Sequence, residues 1–258
     1  MRRMLIVIAG IATAAGLASS SAAQAAGPMP IAQNGNSAVR FTRADPALGR
    51  TWFDRVRAYA WGTPPARPYG ATTGCDRFTS YATFAAKVAA GAIPTRCVMF
   101  DLEGGHTWPS PAQEKADPEK YMPMFNRLAR AHGLAVVESP GADLQATDTT
   151  CPHPPPGSAY YQACRIAYYA AVGGATVVMV QDQQATLTPA VYGTWFKTSR
   201  AQAHAASPGT MVFTTCSQNR GTAAQCIKDV RAAGTVDGLD DMQSSSSSWE
   251  ATVLNALG

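Results

Sequence analysis

Two short apolar runs end in acids, and acids at such places can move protons. Cys97 to Leu102 (CVMFDL) continues into Glu103-Gly104-Gly105, and Leu134 to Val137 (LAVV) continues into Glu138-Ser139-Pro140. In an extended chain side chains alternate, so Met99, Asp101 and Glu103 share one face and Val98, Phe100 and Leu102 the other. Paired carboxylates flanking a sugar linkage can divide the labour of hydrolysis. One is held protonated by burial or a neighbouring charge, while the other stabilises or attacks the developing oxocarbenium ion. Glu103, farther along the strand, is the expected proton donor, and Asp101 the residue that orients it and raises its pKa. Glu138 is the expected nucleophile or base.

Other polar residues follow further runs. Gln181 and Gln183, after Thr176 to Val180 (TVVMV), suit hydrogen bonds to hydroxyls or an acyl oxygen, because an amide exchanges no proton near neutral pH. Asp240 follows the weaker run Thr235 to Leu239, and Ser217 follows Thr210 to Thr214 (TMVFT). Trp108, Tyr69 and Trp61 could stack on a sugar ring, and His106 lies in the loop above the Asp101 strand. His132 and His204 fall late in predicted helices, where an imidazolium complements the helix dipole. The chain has no His-Glu-x-x-His, no Gly-x-Ser-x-Gly and no P-loop. Their absence argues against a zinc peptidase, an α/β-hydrolase esterase and a nucleotide hydrolase. No cofactor and no metal are expected.

The runs start about 25 to 42 residues apart, the length of one strand and a returning helix. The intervening segments carry helix signals. Ser110-Pro111-Ala112-Gln113 reads as a capping box, and Asp117-Pro118 offers a second start. The second helix closes at Gly133 and is kinked or begins late because of Pro123. Thr188-Pro189 opens another, and further helices are expected over Phe78 to Ala90, Ser158 to Val172, Thr222 to Ala233 and Trp249 to Leu257. Strands apolar on both faces, alternating with helices, predict a parallel sheet covered by helices. No glycine-rich phosphate turn follows any strand, which favours a (β/α)8-type, TIM-like barrel, or a distorted one with fewer units, over an open sheet. Arg57 to Trp61 (RAYAW) is the candidate early strand, with Val39 to Thr42 as another. Residues 141–158 make a long connection, read as a lid or a surface excursion. Ser244 to Ser248 reads as a flexible loop.

Residues 1–25 read as a secretory signal peptide: Arg2-Arg3, an apolar run from Leu5 to Ala18, then Ala23-Gln24-Ala25. Residues 26–37, rich in Gly, Pro and Asn, read as a flexible arm, and residues 38–258 as one barrel domain stapled by disulfides. The six cysteines fall into nearest-neighbour pairs, Cys75 with Cys97, Cys151 with Cys164 and Cys216 with Cys226, chosen from 15 possible connectivities. Charged residues are only 15% and the net charge is +4, two units of which lie in the leader, so nucleic acid is excluded as a partner. A secreted, extracellular monomer without membrane contact after signal cleavage is expected.

Asp101-x-Glu103-Gly104 resembles the tail of the catalytic motif of chitinase-like family 18 barrels and, more loosely, that of lysozyme-like family 25 barrels. Val98 and Met99 stand where family 18 carries acidic residues. The stretches from Trp108 to Pro118, Ala131 to Leu134 and Glu138 to Gly141 resemble secreted actinobacterial barrel proteins of unassigned role. The second likeness implies a secreted barrel and supplies no activity; the first, with the carboxylate pair, implies a glycoside hydrolase acting on a cell-wall or environmental polysaccharide. The alternative is a non-catalytic carbohydrate-binding or cell-envelope protein on the same scaffold.

Overall fold

The computed structural model describes residues 28–105, 110–151, 155, 157–182, 188–242 and 246–258. Eight parallel strands close into a barrel in sequence order. They are β1 (Ile31–Asn34), β2 (Ala58–Gly62), β3 (Thr73–Phe78), β4 (Cys97–Phe100), β5 (Ala135–Glu138), β6 (Val177–Val180), β7 (Met211–Ser217) and β8 (Gly238–Met242). Helices α1 (Gly35–Ala44) and α2 (Pro46–Phe53) follow β1, α3 (Tyr81–Ala89) follows β3, and α4 (Ala112–Lys115) and α5 (Pro118–Ala131) follow β4. Then come α6 (Ser158–Ala163), α7 (Ile166–Ala171), α8 (Pro189–Ala206), α9 (Ala223–Ala233) and α10 (Ser247–Leu257). The expected TIM-like α/β barrel is therefore present with all eight strands.

Alternation sorts each strand's residues between two apolar layers. Tyr59, Met99, Val137, Met179 and Phe213 fill the barrel interior. Val98, Phe100, Val136, Val178 and Val212 face the helices. Phe125 of α5 stacks on Phe100 with centroids 4.5 Å apart, and on Phe84 of α3 at 4.1 Å. Burying both strand faces explains why the runs are continuously apolar. The three disulfides join the nearest-neighbour pairs: Cys75–Cys97 links β3 to β4, Cys151–Cys164 holds the connection after β5, and Cys216–Cys226 links β7 to α9.

The beginning of the chain differs from expectation. Residues 31–34, within the stretch read as an arm, form β1, which pairs with β2 and β8 and closes the barrel. Ile31 packs outward against the α1 and α10 side, and the outward Gln33 amide donates to Glu250 of α10 at 2.7 Å. The Arg55 guanidinium donates to the carbonyls of Pro28 and Met29 and so fixes the entry to β1. Val39 to Thr42 is helical, with Ala38, Phe41 and Thr42 on the buried side of α1. β3 (TGCDRF) shows no apolar run, because its polar residues have partners within the fold. The signal-peptide residues 1–25 lie outside the described residues.

The capping box at Ser110 does not form: Pro111 caps α4 with no side-chain bond, and the Ser110 hydroxyl accepts the Glu103 N–H at 3.1 Å instead. The helix carrying Pro123 starts at the expected Asp117-Pro118, with Asp117 accepting the Lys120 N–H, and holds Pro123 within it rather than starting late. The single helix expected over 158–172 is two, separated at Arg165, whose φ of 54° is left-handed. Glu114 of α4 is fully buried and accepts from the Ser80 hydroxyl and the N–H groups of Tyr81 and Ala82, capping α3 from outside its own chain segment. Charge-assisted bonds at a helix N-terminus are the strong kind. Glu114→Ala should therefore lower stability by about 3 kcal/mol in thermal or urea unfolding, and Glu114→Gln by less, because its amide oxygen still accepts.

Candidate active site

At the carboxyl ends of the strands the interior layer turns from apolar to polar. Above Met99, Val137 and Met179 stand Asp101 after β4, Ser139 after β5 and Gln181 after β6, each two residues on and therefore on the same inward face. Arg77 of β3 and Asp240 of β8 belong to the same face by register, beside Met99 and Thr215 respectively. This is where barrel enzymes carry their chemistry.

Asp101 is 4% exposed and held by Arg77, whose Nε donates to Oδ2 at 2.6 Å and whose Nη2 makes a second contact. The guanidinium lies over the Trp61 ring, 5.6 Å from its centroid. The Asp101 pKa is raised: burial, the largest effect, outweighs the Arg77 charge and the hydrogen bonds from Arg77 and Ser139 that pull it down. Glu103 is half-buried. Its Oε1 accepts from the Gln181 amide at 3.3 Å, and the same nitrogen approaches the Ser139 hydroxyl at 3.2 Å. The Glu103 pKa is raised to about 7, first by burial and then by the charge of Asp101, with Asp143 adding to it and Gln181 opposing. Asp143 lies on the 3-10 turn Ala142–Ala146 after β5, and its Oδ1 accepts the Gly104 N–H at 2.9 Å.

Glu103, Asp101 and Gln181 thus come together as the residue pattern implied, and the assignment of Glu138 is corrected. Glu138 pairs in register with Phe100 and Val178, both in the helix-facing layer, and alternation sends its side chain the same way. It is fully buried, neither carboxyl oxygen has a hydrogen-bond partner, and burial followed by the Asp101 charge raises its pKa well above the ordinary value. A carboxyl sealed from solvent beneath the helices meets no substrate, so it serves as neither base nor nucleophile.

Asp240, expected to bind substrate, faces inward but has no exposed surface; Thr215 donates to it at 3.3 Å and burial drives its pKa well up. It forms part of the floor beneath the mouth. Tyr69 is also not at the site: its hydroxyl donates to the Pro46 carbonyl and Arg50 of α2 covers its ring. His106, Trp108 and Gln183 lie outside the described residues. Asp182, unassigned by the sequence, is fully buried and accepts from the Thr214 hydroxyl and the Thr215 N–H, both at 2.9 Å. Its pKa is raised to about 8 by burial, and it ties the ends of β6 and β7 together.

Arg77, Ser139 and Asp143 were not legible as site residues. Arg77 lies on the strand without an apolar run, and Asp143 lies in the long connection. The signal that marked Asp143 was glycine: Gly104, Gly105 and Gly141 all leave space that it occupies. Among the described residues, no group of three or more His, Cys, Asp or Glu is arranged to hold a metal ion. No protein-family model matches the chain, and comparison with curated proteins finds no match.

A carboxyl whose pKa is higher in the folded than in the unfolded chain makes folding favour the protonated form. For Glu103, the stabilisation is complete below the ordinary value of 4.5 and is lost as pH rises through about 7. Glu103→Gln carries no such charge. It should differ from the wild type by less than about 1 kcal/mol at pH 5 and be more stable by about 3 kcal/mol at pH 8, as read from paired denaturation curves.

Proposed function

We propose that the protein is a secreted glycoside hydrolase acting on a cell-wall or environmental polysaccharide, with Glu103 as its general acid. The observation that carries this reading is a single carboxyl group. Glu103 stands half-buried at the barrel mouth with a pKa of about 7, backed by the buried Asp101–Arg77 pair. An acid so poised still holds its proton in about half of the molecules at pH 7 and gives it up readily. As the glycosidic bond breaks, the leaving oxygen takes the Glu103 proton, and the new carboxylate keeps the hydrogen bond from Gln181. Asp101 does not give a proton to substrate: it is buried and committed to Arg77, and its charge acts on Glu103.

Three disulfides suit an oxidising, extracellular compartment, and no described helix is long and apolar enough to cross a membrane. Polysaccharide is the partner that follows from the chemistry, and no nucleic acid is called for.

Reducing-end release from a broad polysaccharide panel tests the reading. The wild type should cut at least one polymer, with activity falling as pH rises through about 7, where Glu103 loses its proton. Glu103→Gln should lose about 10²- to 10⁴-fold in kcat while still binding the same polymer. Asp101→Asn, which removes the neighbouring charge, should also move the alkaline fall to lower pH. Polymer binding without cleavage by the wild type would make the protein a carbohydrate-binding module and reject the hydrolase.

A further inference from the structure

With Glu138 facing the helices, the proposed acid needs another carboxylate, and the turn after β5 supplies one. Asp143 is exposed, whereas Asp101, Glu138, Asp182 and Asp240 are all buried. Its carboxylate is fixed in place. Oδ1 accepts the Gly104 N–H at 2.9 Å, and three glycines close around the residue. A Cβ at Gly105 would stand 2.8 Å from Asp143 Oδ2, one at Gly141 2.4 Å from Oδ1, and one at Gly104 2.5 Å from the Asp143 carbonyl oxygen. Gly104 faces backbone, so a side chain there would part the loop after β4 from the turn after β5, while Gly105 and Gly141 leave the room that the Asp143 carboxylate fills. The Gly141 position is also 3.3 Å from Glu103 Cγ, which puts Asp143 Oδ1 within about 6 Å of that carbon. Glycosidase carboxyl groups about 5 to 5.5 Å apart attack the anomeric carbon directly, whereas those about 6.5 to 9.5 Å apart leave room for a water. A separation within that bound admits the close class, which direct attack on the anomeric carbon requires.

We propose that Asp143 is the nucleophile of this site and that hydrolysis proceeds with retention at the anomeric carbon, an assignment that rests on the glycosidase reading above. In the first step an Asp143 oxygen forms a bond to the anomeric carbon, the glycosidic C–O bond breaks, and the leaving oxygen takes the Glu103 proton. In the second, water attacks the same carbon, Glu103 takes a proton from that water, and the ester bond to Asp143 breaks. The acid and the carboxylate are restored, and one water is consumed for each bond cut.

The test uses the full chain and a polysaccharide that the wild type cleaves. Proton NMR of the first-formed reducing end should show the configuration of the bond that was cut. Asp143→Asn keeps an oxygen for the Gly104 N–H, so it should melt with the wild type while losing about 10³-fold in kcat. Sodium azide should restore turnover to Asp143→Ala and yield a glycosyl azide of inverted configuration. An inverted wild-type product, or an Asp143→Asn variant that turns over near the wild-type rate while Glu103→Gln does not, overturns the assignment and leaves Glu103 as the acid. A wild type that cleaves no polymer removes the hydrolase reading, and the role of Asp143 with it.

Discussion

A carboxylate can be withdrawn from water only if something else satisfies its charge, and the site depends on how Arg77 does this for Asp101. Desolvation of an isolated ion costs several kcal/mol even in a relaxed protein. The forked guanidinium offsets that with two contacts to one carboxylate oxygen, and Trp61 covers its face. The pair anchors β3 to the chain leaving β4, reinforced by the Asp101 N–H donating to the Phe78 carbonyl at 2.8 Å. A fixed negative charge then stands behind Glu103, next to a carboxyl that is itself half out of water. Burial and that charge act in the same direction, toward a proton held near neutral pH.

Strand alternation decides which other acids can take part. Residues two apart continue a face, so the layer holding Met99, Val137 and Met179 leads to Asp101, Ser139 and Gln181. The layer holding Phe100, Val136 and Val178 leads to Glu138, and the one holding Val178 and Val180 leads to Asp182. One position along a strand therefore separates a residue at the mouth from one sealed under the helices. Asp182 accepts from Thr214 and Thr215 and has a structural task, whereas the Glu138 carboxyl oxygens have no partner and burial pushes the pKa of that group up.

The barrel was legible because a strand buried on both faces is written as an unbroken apolar run, as in CVMF and VVMV. Strands that depart from this rule were not. β1 is four residues among Gly, Pro and Asn, and its Gln33 is buried only because Glu250, more than two hundred residues on, receives its amide. β3 carries Asp76 and Arg77 because each has a partner that the fold brings near, Lys87 of α3 and Asp101 after the neighbouring β4. The Asp101–Glu103 pair could be read because both acids lie on one extended segment, where spacing alone sets the face. Glu138 was misplaced because the parity of β5 relative to β4 is fixed by register, which spacing within one strand does not reveal. Asp143 stayed hidden because its setting is made of glycines from two loops distant in sequence.

The central claim is that burial and the charge of Asp101, which Arg77 holds in place, keep the proton on Glu103 to near neutrality. Carbon-13 NMR titration of the Glu103 side-chain carboxyl in the folded protein measures this directly. The account predicts a midpoint near pH 7 in the wild type, falling toward the ordinary glutamate range in Asp101→Asn. A wild-type midpoint near 4.5, or one that does not move when the Asp101 charge is removed, would contradict it.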